Sequence, residues 1–237
     1  MRDFIDAFVS AAPQLWEGTV TTLILSLGGA ALAVVIACVL GLAAISRFVV
    51  VRTIVRIIVE FFRGTSLVVQ MFFLFFVFPM WGIEWDPYTT GIVALGLNYG
   101  AYGSEVVRGS LNAVPKGQWE TTTALSMSWP LKIRRVIWPQ AWALMLPGFN
   151  NLLIMLIKGS ALAGFIFLQD LTFVTEQLRR TLDTFTAFGL GLVIYFVISL
   201  ACSYLLRWME LRAQRRLGLK ETKTPRTDKA LAGGGTA

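Results

Sequence analysis

Apolar residues run in long blocks along this chain, interrupted by short polar and basic segments. A helix that crosses a bilayer needs about 20 mostly apolar residues. Five stretches meet that demand: 19–45, 54–80 (which contains the very apolar LVVQMFFLFFVF), 87–111, 140–168 and 184–208. The second and fourth contain charges, so their ends are open. The pattern predicts an all-α integral membrane protein with five transmembrane helices. Ahead of the first block, residues 1–18 carry Asp3, Asp6 and Glu17 and no basic stretch leading into a long apolar core. They read as a short amphipathic segment on the membrane surface rather than a cleavable signal. Behind the last block, residues 211–237 form a tail that turns polar and glycine-rich, expected to be disordered.

Composition agrees with a membrane protein. Of 237 residues 56% are hydrophobic and 15% charged, with mean hydropathy +0.66, whereas a soluble domain carries about 25% charged residues. The absence of histidine removes Ser-His-Asp and Cys-His catalysis as well as His-ligated zinc and haem. Cys38 and Cys202 lie inside apolar blocks and read as small hydrophobes, ahead of a disulfide or a two-thiol metal site; no metal site is expected. The net charge of +7 raises nucleic acid as a partner, but the basic residues fall in loops and in the tail. Arg47, Arg52, Arg56, Arg108, Lys116, Lys132, Arg134, Arg135 and eight residues from Arg207 onward lie on one side of the five blocks; Arg2, Arg179 and Arg180 lie on the other. The positive-inside rule then puts the C-terminus in the cytoplasm and the N-terminus outside. Five crossings require opposite ends, so the two readings agree, and membrane lipid rather than nucleic acid is the surrounding partner.

That orientation makes residues 115–140, PKGQWETTTALSMSWPLKIRRVIWPQ, a cytoplasmic loop. After Pro115 the run QWETTTALSM suits a short helix with Glu120 in its first turn, where the helix dipole favours an anion. Ser128 is placed to cap a second short helix, WPLKIRRVIW, whose Pro130 is tolerated in the first turn, and Pro139 opens the fourth span. Two short helices with a sharp turn between them make a compact knob. The same residues also fit an interfacial elbow whose tryptophans sit among headgroups. No GxxxxGK[ST] run occurs, so the chain has no P-loop of its own.

The loop resembles the EAA loop of ABC-importer membrane subunits: Glu-Ala-Ala, three residues, Gly, nine residues, then Ile-x-Leu-Pro. The spacing falls on Glu120, Thr121, Thr122, Ser126, Val136, Trp138 and Pro139, with Thr for both alanines, Ser for glycine and Trp for leucine. Flanking stretches LWEGTVTTLILS, EFFRGTSLVVQ, GAYGSEVVRGSLNAVPKGQWE, RRVIWPQA and LPGFNNLLIMLIKGSAL are similar to signatures of the polar amino-acid and opine permeases (His/Glu/Gln/Arg), in the same order. The resemblance covers about residues 15–210. It implies a type I ABC-importer permease fold in the bacterial inner membrane, with Glu120, Thr121, Thr122, Ser126 and Pro139 in a coupling helix and loop that dock on a cytoplasmic ATPase dimer. It also implies a second permease subunit, identical or paralogous, and an extracytoplasmic solute-binding protein. ATP-Mg would bind the ATPase, and this chain would hold no cofactor. A self-contained secondary transporter or channel is the alternative, and an intramembrane enzyme a third for which no nucleophile-base set stands out.

Polar residues inside spans mark function or interhelical bonding. Glu60 and Arg63, and Glu105 and Arg108, are three apart and read as ion pairs near helix ends. Asn98, Tyr102, Glu105, Asn150, Lys158 and Ser160 are candidates for a substrate pathway; Asn98, Tyr102 and Lys158 fit interhelical hydrogen bonding equally, and Gln70 fits it better. Lys158 has no acidic partner nearby in sequence. Relatives that carry α-amino acids often read Lys-Asp-Thr-Ser-Leu where this chain reads Lys158-Gly159-Ser160-Ala161-Leu162. The missing acid disfavours a cationic amino acid and leans towards a neutral or zwitterionic solute, such as ectoine or hydroxyectoine, whose permeases the whole sequence resembles.

Overall fold

A computed structural model describes residues 2–216, and side chains for residues 11–215. The described residues form helices and short connections, with no strand among them. The elements are α1 (Arg2–Ala43), α2 (Val49–Gly64), α3 (Leu67–Phe72), α4 (Pro87–Ala113), α5 (Lys116–Ala124), α6 (Trp129–Lys132), α7 (Trp138–Gly159), α8 (Leu171–Leu178) and α9 (Thr184–Arg216).

Three helical stretches are long and apolar enough to cross a membrane: Ala11–Ala43, Trp129–Ile166 and Thr184–Arg215. A fourth is the pair Val49–Gly64 and Leu67–Trp81, bent by 101° at its break. The third expected span, α4, is 27 residues long but falls short on apolarity. Its position explains why. Fourteen of its residues are buried, among them Ala94, Leu95, Gly96 and Val107, because α1, α2 and α7 pack around it. A helix shielded from lipid by protein can carry Gly, Ser, Asn and Tyr at its contacts. Small residues let α1 come very close. A Cβ on Gly41 would stand 2.5 Å from Val107, and one on Gly96 would stand 2.6 Å from Leu32.

Three expected boundaries shift. Residues 2–18 are not a separate helix: α1 is continuous from Arg2, with Pro13 inside it. The fourth span begins eleven residues early, since α6 passes through a π-turn (Ile133–Ile137) into α7 without a break, and the second short helix of the loop is the foot of a long one. The last span carries on to Arg216, so the first residues of the supposed tail are helical; residues 217–237 lie outside the described residues.

A second π-turn, Phe73–Val77, follows α3. Each π-turn ends immediately before an X-Pro pair, Phe78-Pro79 and Trp138-Pro139. Proline lacks an N–H and its ring crowds the carbonyl four residues back. Widening the turn, with Phe78 N–H bonded to Phe73 O and Trp138 N–H to Ile133 O, lets the helix pass the proline without stopping.

Candidate functional site

Two places concentrate the chemistry: the loop joining α4 to α7, and the break between α2 and α3.

In the loop, α5 ends in a Schellman turn. Met127 N–H donates to Thr122 O at 3.1 Å and Ser126 N–H to Thr123 O at 2.9 Å. Ser126 sits at the turn's left-handed position with φ 52°. Glycine, the residue the EAA pattern puts there, adopts that conformation freely, and serine is strained in it by roughly 1–2 kcal/mol. Ser126→Gly should therefore stabilise the purified protein by about 0.5–1 kcal/mol, strain relief outweighing the added chain entropy. Ser126→Val should destabilise it, as read by the midpoint of thermal unfolding.

Thr121 and Thr122 also fit without the pattern's alanines. Their hydroxyls donate back along the helix, to Gly117 O at 2.7 Å and Trp119 O at 2.8 Å, so neither is left unpaired. Thr122 is buried beneath α5. Glu120 is exposed in the second turn, not the first, and among the described residues it forms no salt bridge. It borders a groove with Trp119, Thr123 and Lys132. Ser128 occupies the N-cap position of α6, but only its backbone carbonyl caps, accepting from Lys132 N–H at 2.9 Å; its side chain makes no capping bond. Lys132 Nζ reaches Thr123 Oγ1 at 2.8 Å and ties the foot of α7 to α5. Beneath them Val114, Ile133 and Ile137 share one buried cluster with Val107 and Leu111 of α4 and Met145 of α7. The loop is a knob fixed to two membrane helices, with Leu125 and Trp129 exposed on its outer surface.

At the helix break, α2 ends with carbonyls that no helical N–H reaches. In a bilayer such groups must find protein donors. Gln70 Nε2 donates to Phe62 O at 2.9 Å and to Thr65 Oγ1 at 2.6 Å. Asn98 Nδ2 donates to Phe62 O at 3.1 Å and to Gln70 Oε1 at 3.3 Å. Tyr102 Oη donates to Arg63 O at 3.2 Å, while the Arg63 guanidinium lies 5.2 Å from the Tyr102 ring centre. Asn98 and Tyr102 thus spend their hydrogen-bonding groups on the break.

The remaining pathway candidates do not join them in one cavity. Ser160 is fully buried, donating to Ile157 O at 2.8 Å and lying 3.4 Å from Ser26 Oγ of α1. Glu105 pairs with Arg108, with Arg108 Nε at 3.0 Å. Asn150 is half-buried with its Oδ1 unpartnered among the described residues. Lys158 is exposed in a groove between α7 and α9 beside Tyr195, Ser199 and Ser203. Within one chain they occupy separate sites.

Sequence reasoning passed over two features. Tyr99 Oη rests against Gly159 and donates to Met155 O at 2.9 Å; a Cβ on Gly159 would collide with that oxygen. Tyr99 takes the space that a side chain at position 159 would need. The second is Asp170, fully buried at the N-cap of α8, where it accepts from Phe173 N–H at 3.1 Å and Thr172 N–H at 3.2 Å. Burial pushes its carboxyl above the ordinary range, partly offset by those hydrogen bonds. Only an isolated Asp before LTFVTEQL hinted at it.

Comparison with known proteins gives this geometry a context. The family described as binding-protein-dependent transport system inner membrane component matches residues 33–215. The chain is 40% identical to a probable amino-acid ABC transporter permease protein, y4tF, of Sinorhizobium fredii over 75% of this chain and 78% of that one. It is 33% identical to the L-cystine transport system permease protein TcyB of Bacillus subtilis, over 86% of this chain and 88% of that one. Among solved structures, an amino acid ABC transporter with histidines superposes with a TM-score of 0.78 at 30% identity, covering 86% of this chain and 96% of that chain. The MetNI methionine ABC transporter in inward-facing conformations, at 19% identity and TM-score 0.65, shares the fold. The chain belongs to the binding-protein-dependent transport system inner membrane component family, as a multi-pass protein of the inner membrane.

Proposed function

We propose that this chain is the permease subunit of an ATP-driven importer for an amino acid or an amino-acid-like solute, crossing the membrane five times with its N-terminus outside and its C-terminus in the cytoplasm. The observation that carries the reading is the α5 knob. It presents Glu120, Leu125 and Trp129 outward and is fixed by a Schellman turn and a shared core to α4 and α7. A rigid part of this kind can transmit the closure of a docked ATPase to membrane helices, where a slack loop would absorb it. With no P-loop in the sequence, the energy comes from that partner. A second permease subunit completes the pathway between the two, so the separate positions of Lys158 and Asn150 in one copy are compatible with a shared cavity in the pair. A solute receptor delivers from outside. The relatives named above support an amino acid. The Gly159 departure supports a neutral or zwitterionic solute, with ectoine or hydroxyectoine favoured.

Uptake into vesicles holding the reconstituted complex should require the ATPase; uptake without it would favour a secondary transporter instead. Glu120→Lys places a cation on the docking face and should reduce coupled uptake at least about tenfold, the order of a lost interfacial charge contact of 1.4 kcal/mol or more. Receptor binding should stay unchanged. Wild-type uptake in this variant would refute the docking role.

A further inference from the structure

An apolar slot of about 330 Å³ lies between α1, α7 and α9, with Ala31 on one wall, Leu146, Phe149 and Leu153 on another, and Leu206 and Met209 closing it. Two of its lining side chains carry a polar group: Tyr99, whose Oη is already bonded to Met155 O, and Trp142, whose indole N–H lies at one end of the slot. Between Trp142 and Leu156 the α7 wall is apolar and offers little to a solute that needs several hydrogen bonds. The slot runs on into a second groove through two residues common to both, Trp142 and Met209. That groove is lined by Trp138, Trp208 and Arg212, and the Arg212 guanidinium lies 5.1 Å from the Trp208 ring centre. Along α7 the slot extends from Trp142 to Leu156, fourteen residues or about 21 Å at 1.5 Å per residue. The layout is a dry channel at bilayer depth, a rim of tryptophan where headgroups lie, and one arginine just beyond.

We infer that this slot binds an anionic phospholipid of the cytoplasmic leaflet, one acyl chain lying between α1 and α7 and the phosphate facing Arg212. The inference goes beyond the permease reading and rests on it only for which leaflet is meant. Arginine over a tryptophan face keeps its guanidinium oriented and only weakly hydrated, which suits a phosphate. The exposed positions Arg207 and Arg215 on the same helix end add attraction for an anionic surface.

The full chain, purified in detergent and delipidated, is incubated with phosphatidylglycerol or phosphatidylcholine, and retained lipid is counted by native mass spectrometry. One phosphatidylglycerol per chain should be held about fivefold more tightly than phosphatidylcholine, the worth of one basic residue at an anionic surface. Arg212→Gln, on an exposed side chain, should erase the preference while leaving lipid bound. Ala31→Phe, which fills the slot from its open side, should prevent retention of either lipid. Equal retention of the two lipids by the wild type, or unchanged retention in Ala31→Phe, would overturn the site. So would loss of the permease dimer in Ala31→Phe with lipid retained, since that outcome assigns the slot to a second copy. Thiol labelling of Arg215→Cys from one side of sealed vesicles reads the orientation separately: labelling from outside overturns the cytoplasmic leaflet even where a lipid is held.

Discussion

Gly159→Asp should unfold or strongly destabilise this protein, by about 3 kcal/mol or more, since it combines overpacking with a carboxylate at membrane depth. The collision is with one atom group, the Tyr99 hydroxyl, which fills the space a Cβ would need. Tyr99→Ala alone should cost about 3 kcal/mol through the cavity it leaves, as large-to-small aromatic changes in cores do. The two changes together should cost less than their sum, because the second removes the obstacle to the first. Thermal unfolding of the four proteins of this cycle checks the claim; additivity would show that Tyr99 and Gly159 are not coupled. The double variant also regains the acid common in α-amino-acid carriers. On the proposed reading, its complex should take up cationic amino acids better than the wild type does.

The second large effect is at the bend between α2 and α3. Phe62 O accepts from both Gln70 and Asn98. Gln70→Leu or Asn98→Leu should each cost about 1 kcal/mol, in the range of single interhelical hydrogen bonds in membranes. Making both changes should cost about 3 kcal/mol, more than the sum, because the carbonyl then has neither donor and no water to replace them. Unfolding midpoints of the single and double variants settle this; a strictly additive pair would mean that water or lipid headgroups reach the bend.

Hydropathy showed α1, α7 and α9 plainly because lipid contact demands apolar surface on them. It showed α4 less well, and for a physical reason: a helix wrapped by others is selected for smallness, and Gly96 and Gly100 lower its apolar score while making the packing possible. The gap between apolar blocks located the loop, and motif spacing located Ser126. Neither disclosed that α6 is the foot of α7, because π-turns leave no mark in a hydrophobic period. The pathway residues were the least legible. Asn98 and Tyr102 have the composition of a solute site and the geometry of a cap, and only the position of the carbonyls of Phe62 and Arg63 distinguishes them. Ser160 looked available beside Lys158, yet the two point to different sides of the helix, one buried and one exposed.

The π-turn at Ile133–Ile137 has a consequence for how changes in this region propagate. It holds one residue more than an ordinary turn, and one residue advances an α-helix by about 100°. The knob end and the membrane end of this long rod are therefore two wheels set out of phase, meshed at a single wide tooth. Removing one residue between Lys132 and Trp138 would give back an ordinary turn, but adding one more would turn the whole stripe from Trp142 to Leu156 towards the wrong neighbours. The same change in the Schellman turn before Ser128 would leave that stripe facing as before. Tolerance to insertion should thus switch abruptly across a few residues of one loop, with the wide turn as its divide.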